Sequence, residues 1–235
     1  MSVTPREHRA ASTPLYPVAL KLEGRIALVV GGGEIALRKT TDLLQAGAHV
    51  RVVAPEWPAD FRPLECEAGN AYRLFRLTRR FAPHDLEGAS IAVAATDDRD
   101  VQQAVARAAS DRGVLCNVVD VNELCSFYVP ATLRRGGLAI AVQTDGRFPL
   151  LAVALRDRLA RLIGPGFEPA LERLAEARRT MRRLFPDDAA ERARRLRGLV
   201  SDEAIDLLLS NRLAEFEGMV DRFVAETAEA AQVRV

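Results

Sequence analysis

Apolar residues cluster at regular intervals in the first half of the chain. Residues 26–30 form a continuous apolar run, the pattern of a parallel strand buried on both faces. Similar short runs fall at 50–53, 91–95 and 115–119, with a weaker one at 74–77 that suits a sheet edge. Between them the period lengthens. In 34–46, Ala36, Thr40, Leu43 and Leu44 share one helical face, and Gly47 supplies a C-terminal stop. A second helix is expected over 101–111, ending before Gly113. Strands alternating with helices of about a dozen residues predict an α/β fold with a doubly wound parallel sheet and right-handed crossovers.

The rhythm changes after residue 120. Two β-like runs, 126–133 and 138–144, are joined by Arg134-Arg135-Gly136-Gly137, a hairpin signal. A protruding hairpin needs cover, most cheaply from a second subunit. Leu151, Leu155, Leu159 and Leu162 then repeat at helical spacing until Gly164-Pro165-Gly166 breaks the pattern. A second helix is expected over 169–185, with shorter helices to the end.

Chemistry enters at the first strand. Gly31-Gly32-Gly33-Glu34-Ile35-Ala36 fits the G-x-G-x-x-G/A fingerprint, with a buried strand before it and an amphipathic helix after it. Gly31 can take the tight turn, and Gly33 lets the backbone approach a pyrophosphate. Ala36 is small enough for close packing of helix on strand, and the helix start offers free N–H groups to phosphate. Expected dinucleotide contacts are Gly31, Gly33, Glu34, Ile35, Ala54, Thr96 and Asp97. Ala54 sits where an acid often holds the adenine ribose, and Glu56 comes a little late, so NAD and NADP both stay open. Thr96 or Asp97 could also cap the helix that follows. Asp120 ends the last strand, at the carboxyl edge where dinucleotides lie. A carboxylate there can take a proton as hydride leaves a substrate, and partial burial would raise its pKa. The alternative for Asp120 is a cap on the next turn. The expected organisation is a Rossmann-like dinucleotide-binding domain over 1–120, a dimerisation hairpin region over 121–149 and a small all-helical domain over 150–235.

Bulk properties narrow the field. Of 235 residues, 49% are hydrophobic and 28% charged, a globular balance, and the net charge of +1 exerts no global pull on nucleic acid or membrane. Three cysteines without a C-x-x-C pair argue against a disulfide scaffold and for a reducing cytoplasm. No apolar run approaches the roughly 18 residues needed to span a bilayer. Residues 1–13 are polar, lack a signal-peptide core and read as a loose tail. His8, His49 and His84 are scattered, and no His/Cys pair has ligand spacing, so no fixed metal site is expected. Arginines between Arg173 and Arg197 interleave with acids, which reads as a solvated helix face or an anion-facing wall.

Four ordered segments carry a resemblance. The glycine turn through Lys39, Ala94-Ala95-Thr96-Asp97-Asp98, Asn117-Val118-Val119-Asp120 and Cys125-Ser126-Phe127-Tyr128-Val129-Pro130-Ala131 together resemble the precorrin-2 dehydrogenase module of siroheme biosynthesis, over roughly residues 17–163. The resemblance implies oxidation of precorrin-2 to sirohydrochlorin with NAD as hydride acceptor, Asp120 as the key acid, and a homodimer. Some members also insert ferrous iron to give siroheme. Bifunctional relatives commonly carry a Ser-rich turn ending Ser-Pro where this chain has 143–149, so the resemblance leaves chelatase activity open. Asn117, Thr144, Gly146 and Arg147 are the expected tetrapyrrole contacts, Arg147 as a partner for substrate carboxylates. Arg134, Arg135 and Arg156 are further candidates for that task. The competing reading is a non-catalytic regulator, responsive to a dinucleotide or tetrapyrrole, that binds nucleic acid through its Arg-rich helices. Near-neutral charge and interleaved acids count against it.

Overall fold

The structure is a computed structural model, and it describes residues 14–67 and 69–232. The stretch read as a loose tail, with His8, lies outside these residues. The chain divides into a first compact unit ending at Val129 and a second beginning at Pro130.

In the first unit five strands form a parallel sheet: β1 (Ile26–Val30), β2 (His49–Ala54), β3 (Leu74–Thr78), β4 (Ala89–Ala94) and β5 (Leu115–Val118). Their order is β3-β2-β1-β4-β5, so the winding reverses between β1 and β4. Helices α1 (Glu34–Gln45) and α3 (Arg99–Asp111) follow β1 and β4, and a short α2 (Arg62–Cys66) precedes β3. Alternation within each strand divides the core into two layers. Ala27, Val29, Val50, Val52 and Val93 pack with Leu43 and Leu44 of α1. Leu28, Val30, Val53, Ala94 and Val118 pack with Val105 and Ala108 of α3. Register aligns Val30 with Val53 and Ala94, and Ala94 with Val118, which brings three strand ends to one rim.

The second unit begins with the antiparallel pair β6 (Ala131–Arg135) and β7 (Leu138–Val142). Arg134 and Arg135 belong to the strand, and Gly136-Gly137 alone make the turn, Gly136 with φ of +53°. The first strand starts later than expected because residues 125–127 are occupied elsewhere. The Ser126 amide donates to the Cys116 carbonyl (2.8 Å) and the Cys116 amide to Ser126 Oγ (2.7 Å), closing the open edge of β5. Helices α4 (Pro149–Leu162) and α5 (Phe167–Leu184) pack on the hairpin. Helices α6 (Ala189–Gly198), α7 (Asp202–Leu209) and α8 (Leu213–Gln232) complete the unit. The last of these is the longest helix, not one of several short ones. Phe216 and Val220 bury it against Ala170 and Ala177 of α5 and Leu207 and Leu208 of α7.

Candidate active site

The site grows from the end of β1. The Gly31 amide donates to the Val53 carbonyl (2.9 Å), which holds the chain in line with the sheet for one more residue. Gly31 then turns with φ of +132°, a region closed to most side chains. A Cβ there would collide with the Ala95 carbonyl oxygen, and one at Gly32 with the Glu56 carbonyl oxygen. Gly33 differs, because nothing lies within 4 Å of a Cβ added there. The first two glycines therefore let backbone strands approach each other, and the third faces open space. Gly33 is also the N-cap of α1 and provides no side-chain cap, so the first-turn N–H groups of α1 remain for a ligand. A dinucleotide pyrophosphate fits this cradle, with the helix dipole behind it. Ala36, fully buried, lets α1 sit close to the sheet.

A cavity of about 450 Å3 lies at the point where the winding reverses. Residues 33–35 after β1, 95–97 after β4 and 119–121 after β5 line it, together with Arg99 and Gln102 of α3. Of the residues singled out in the sequence, Gly33, Glu34, Ile35, Thr96, Asp97 and Asp120 meet here. Gly31 is packed beneath the turn. Ala54 is buried at the end of β2, its Cβ close under Gly32, and is absent from the cavity lining. Asn117 is buried, and its amide donates to the Phe127 carbonyl (3.1 Å), tying the 125–127 segment to β5.

Asp120 is exposed rather than partly buried as expected, because β5 ends at Val118 and the chain has already left the sheet. Its backbone has φ of +61°, an uncommon conformation for a residue with a side chain. Among the described residues no hydrogen bond engages its carboxylate, and the short 3-10 turn over Asn122–Leu124 takes no side-chain cap. The carboxylate is thus free to act in the cavity.

Thr96 and Asp97 do not cap α3. Asp98 does, its Oδ1 accepting from the amides of Asp100 (3.0 Å) and Val101 (3.2 Å). Thr96 and Asp97 are left to line the cavity. Arg99 and Gln102 were missed in the sequence, where one reads as a solvated cation and the other as a polar position in a helix.

Thr144, Gly146 and Arg147 lie in the second unit, in the turn between β7 and α4. Asp145 and Gly146 have φ of +51° and +70°, and the Arg147 amide donates to the Thr144 carbonyl (2.9 Å). Asp145 is a left-handed turn residue here. The Thr144 hydroxyl accepts from the Phe148 amide (3.4 Å). Among the Arg-rich helices, Arg173 pairs with Asp221 and Glu176, and Arg194 and Arg195 pair with Glu191. These pairs fit the solvated-face reading.

The parallel sheet, the glycine cradle and the cavity at the reversal define a Rossmann-like domain for a nicotinamide dinucleotide. Residues 18–131 match the family model NAD_binding_7, described as "Putative NAD(P)-binding". The chain is 43% identical over 177 residues to a siroheme synthase of Chromobacterium violaceum, spanning 75% of this chain and 37% of that one. It is 36% identical over 209 residues to a siroheme synthase of Pseudomonas aeruginosa, spanning 89% and 44%. These matches span less than half the length of those relatives. Among solved structures, "SirC, precorrin-2 dehydrogenase" superposes with a TM-score of 0.70 at 28% identity, over 88% of this chain and all of that one. The chain is therefore similar over most of its length to part of the siroheme synthases and to a whole precorrin-2 dehydrogenase.

Proposed function

We propose that the protein is an NAD-dependent dehydrogenase that oxidises precorrin-2 to sirohydrochlorin in the cytoplasm. The observation that carries this reading is Asp120, an uncommitted carboxylate in the same cavity as the dinucleotide-binding turn. NAD, when bound, supplies the hydride acceptor. The α1 amides hold its pyrophosphate, and the 95–97 and 119–121 segments border the half of the cavity toward β4 and β5. Asp120 takes the proton released as a substrate C–H bond gives up its hydride. The products are sirohydrochlorin, NADH and a proton.

Preference for NAD over NADP rests on the charges near the end of β2. Arg79, whose amide donates to the Ala54 carbonyl (3.1 Å), has its guanidinium engaged by buried Asp85. Arg76 pairs with Glu65 (2.6 Å) and stacks over Trp57. Glu56 is exposed beside the glycine turn, where its charge opposes a ribose 2′-phosphate.

The working form is a homodimer. Helix α4 buries little besides Ala152, while Leu150, Leu151 and Leu155 are 73%, 47% and 45% exposed. An apolar face of this kind is covered by a second copy. In this reading residues 1–120 hold the dinucleotide, 121–149 and the start of α4 form the subunit contact, and 150–235 form the helical domain.

The test is NADH formation from precorrin-2. Asp120→Ala is expected to lower turnover by about 10²–10⁴-fold while NADH binding persists. No NADH from the wild-type protein would overturn the reading. Ferrous iron insertion, the second activity of some family members, is read separately, as siroheme formed anaerobically from sirohydrochlorin above a protein-free control.

A further inference from the structure

The charges around the candidate active site are unbalanced for the substrate just proposed. Glu34, Asp97 and Asp120 line the cavity, and a tetrapyrrole bearing many carboxylates would approach three acids. Arg99 is the one cation among the described lining residues. It is the first residue of α3, where a positive side chain opposes the helix dipole and an acid is favoured. Asp98 and Asp100 on either side follow that preference, and Arg99 breaks it. A residue that departs from its local rule at a cavity wall points to function.

Arg99 is also held. Its Nη1 donates to Gln102 Oε1 (3.4 Å), one turn further along the helix. Gln102 is 5% exposed, and its Nε2 donates to the Thr96 carbonyl (2.6 Å). One buried amide thus links the Arg99 guanidinium to the 96–97 segment. Among the described residues no ion pair neutralises Arg99, in contrast to Arg79, Arg173 and Arg194.

We propose that Arg99 is a specificity-determining residue that pairs with a carboxylate of the tetrapyrrole beside Asp120, and that Gln102 is its positioning residue. The pairing offsets the acids at the rim and orients the macrocycle edge toward the carboxylate that takes the proton. This rests on the dehydrogenase reading for the identity of the substrate.

Equilibrium titration with sirohydrochlorin, the polycarboxylate product, tests it without turnover, alongside titration with NADH. Arg99→Ala is expected to weaken sirohydrochlorin binding by about three- to tenfold, as for loss of a partly solvated guanidinium–carboxylate pair. Arg99→Lys should recover part of it, and NADH binding should not move. The loss should shrink as salt is raised. Unaltered sirohydrochlorin affinity in Arg99→Ala, or a loss that falls on NADH instead, overturns the proposal. Gln102→Leu should weaken sirohydrochlorin binding in the wild-type background and add nothing to Arg99→Ala. Additive losses would remove its positioning role. If sirohydrochlorin binds in an Arg99-dependent way but the wild type makes no NADH from precorrin-2, the pairing stands and the dehydrogenase reading falls.

Discussion

The two units solve the problem of making a site in opposite ways. In the first, the candidate site is built from backbone: a glycine turn, an uncapped helix start and three strand ends brought to one rim by register. Side chains are used sparingly there, and Arg99 breaks its local preference. In the second unit the hairpin and helices form a conventional core around Phe216 and Val220, yet α4 turns its large apolar residues outward. A backbone site is intolerant of added atoms, whereas a side-chain face tolerates them and responds to polarity instead.

The largest expected effect pits glycine against glycine. Gly31→Ala places a Cβ against the Ala95 carbonyl at φ of +132°, and should cost about 3 kcal/mol or more in urea melts, removing NADH binding with it. Gly33→Ala should leave the melt in place and weaken NADH binding, since the added carbon enters only the open cradle. Equal melts for the two variants would break the contrast between packing and ligand-facing glycines.

Next comes the buried acid that supports β2 and β3. Burial alone would push the Asp85 carboxyl up, but hydrogen bonds from the Arg79 guanidinium and the Ala82 amide outweigh it and hold the carboxyl below its ordinary range. A depressed folded-state pKa stabilises above the unfolded value and is lost as pH falls through the folded one. Stability should therefore drop below about pH 4. Arg79→Ala should lower stability at neutral pH, by leaving the carboxylate unpaired, and flatten the acid limb of the profile. A profile unchanged in that variant would show that other carboxylates control acid unfolding.

In the second unit, Leu151→Ser with Leu155→Ser should convert a dimer to monomers in sedimentation while NADH binding and the melt of the first unit persist. A double variant that stays dimeric would move the subunit contact away from α4. The smallest effect is expected at the other glycine-containing turn. Asp145→Gly should alter stability by no more than about 1 kcal/mol in thermal melts, because aspartate already tolerates the left-handed conformation there. Set beside Gly31→Ala, it measures how differently two turns with positive φ depend on their surroundings.

Legibility in the sequence followed the same divide. The strand–turn–helix unit was readable because its signals are local: an apolar run, glycines at fixed spacing and a helical face within two dozen residues. The place of Asp120 was readable because it follows the last apolar run of the first unit. The cap was misplaced by a residue, since three successive polar side chains, Thr96, Asp97 and Asp98, are all competent caps and only backbone direction selects among them. The leucines of α4 repeat like a buried stripe, and only packing shows that Ala152 is the residue turned inward.

By itself the sequence determined the secondary elements of the first unit, the glycine cradle and the acid at the rim, because each depends on steric limits or periodicity within one segment. Tertiary structure decided which strand ends share a cavity, that Gln102 joins Arg99 to Thr96, that Asp120 stands exposed on a left-handed backbone, and which face of α4 is left uncovered. Those outcomes depend on residues far apart in the chain being brought together by sheet order and register, and neither composition nor spacing encodes that distance.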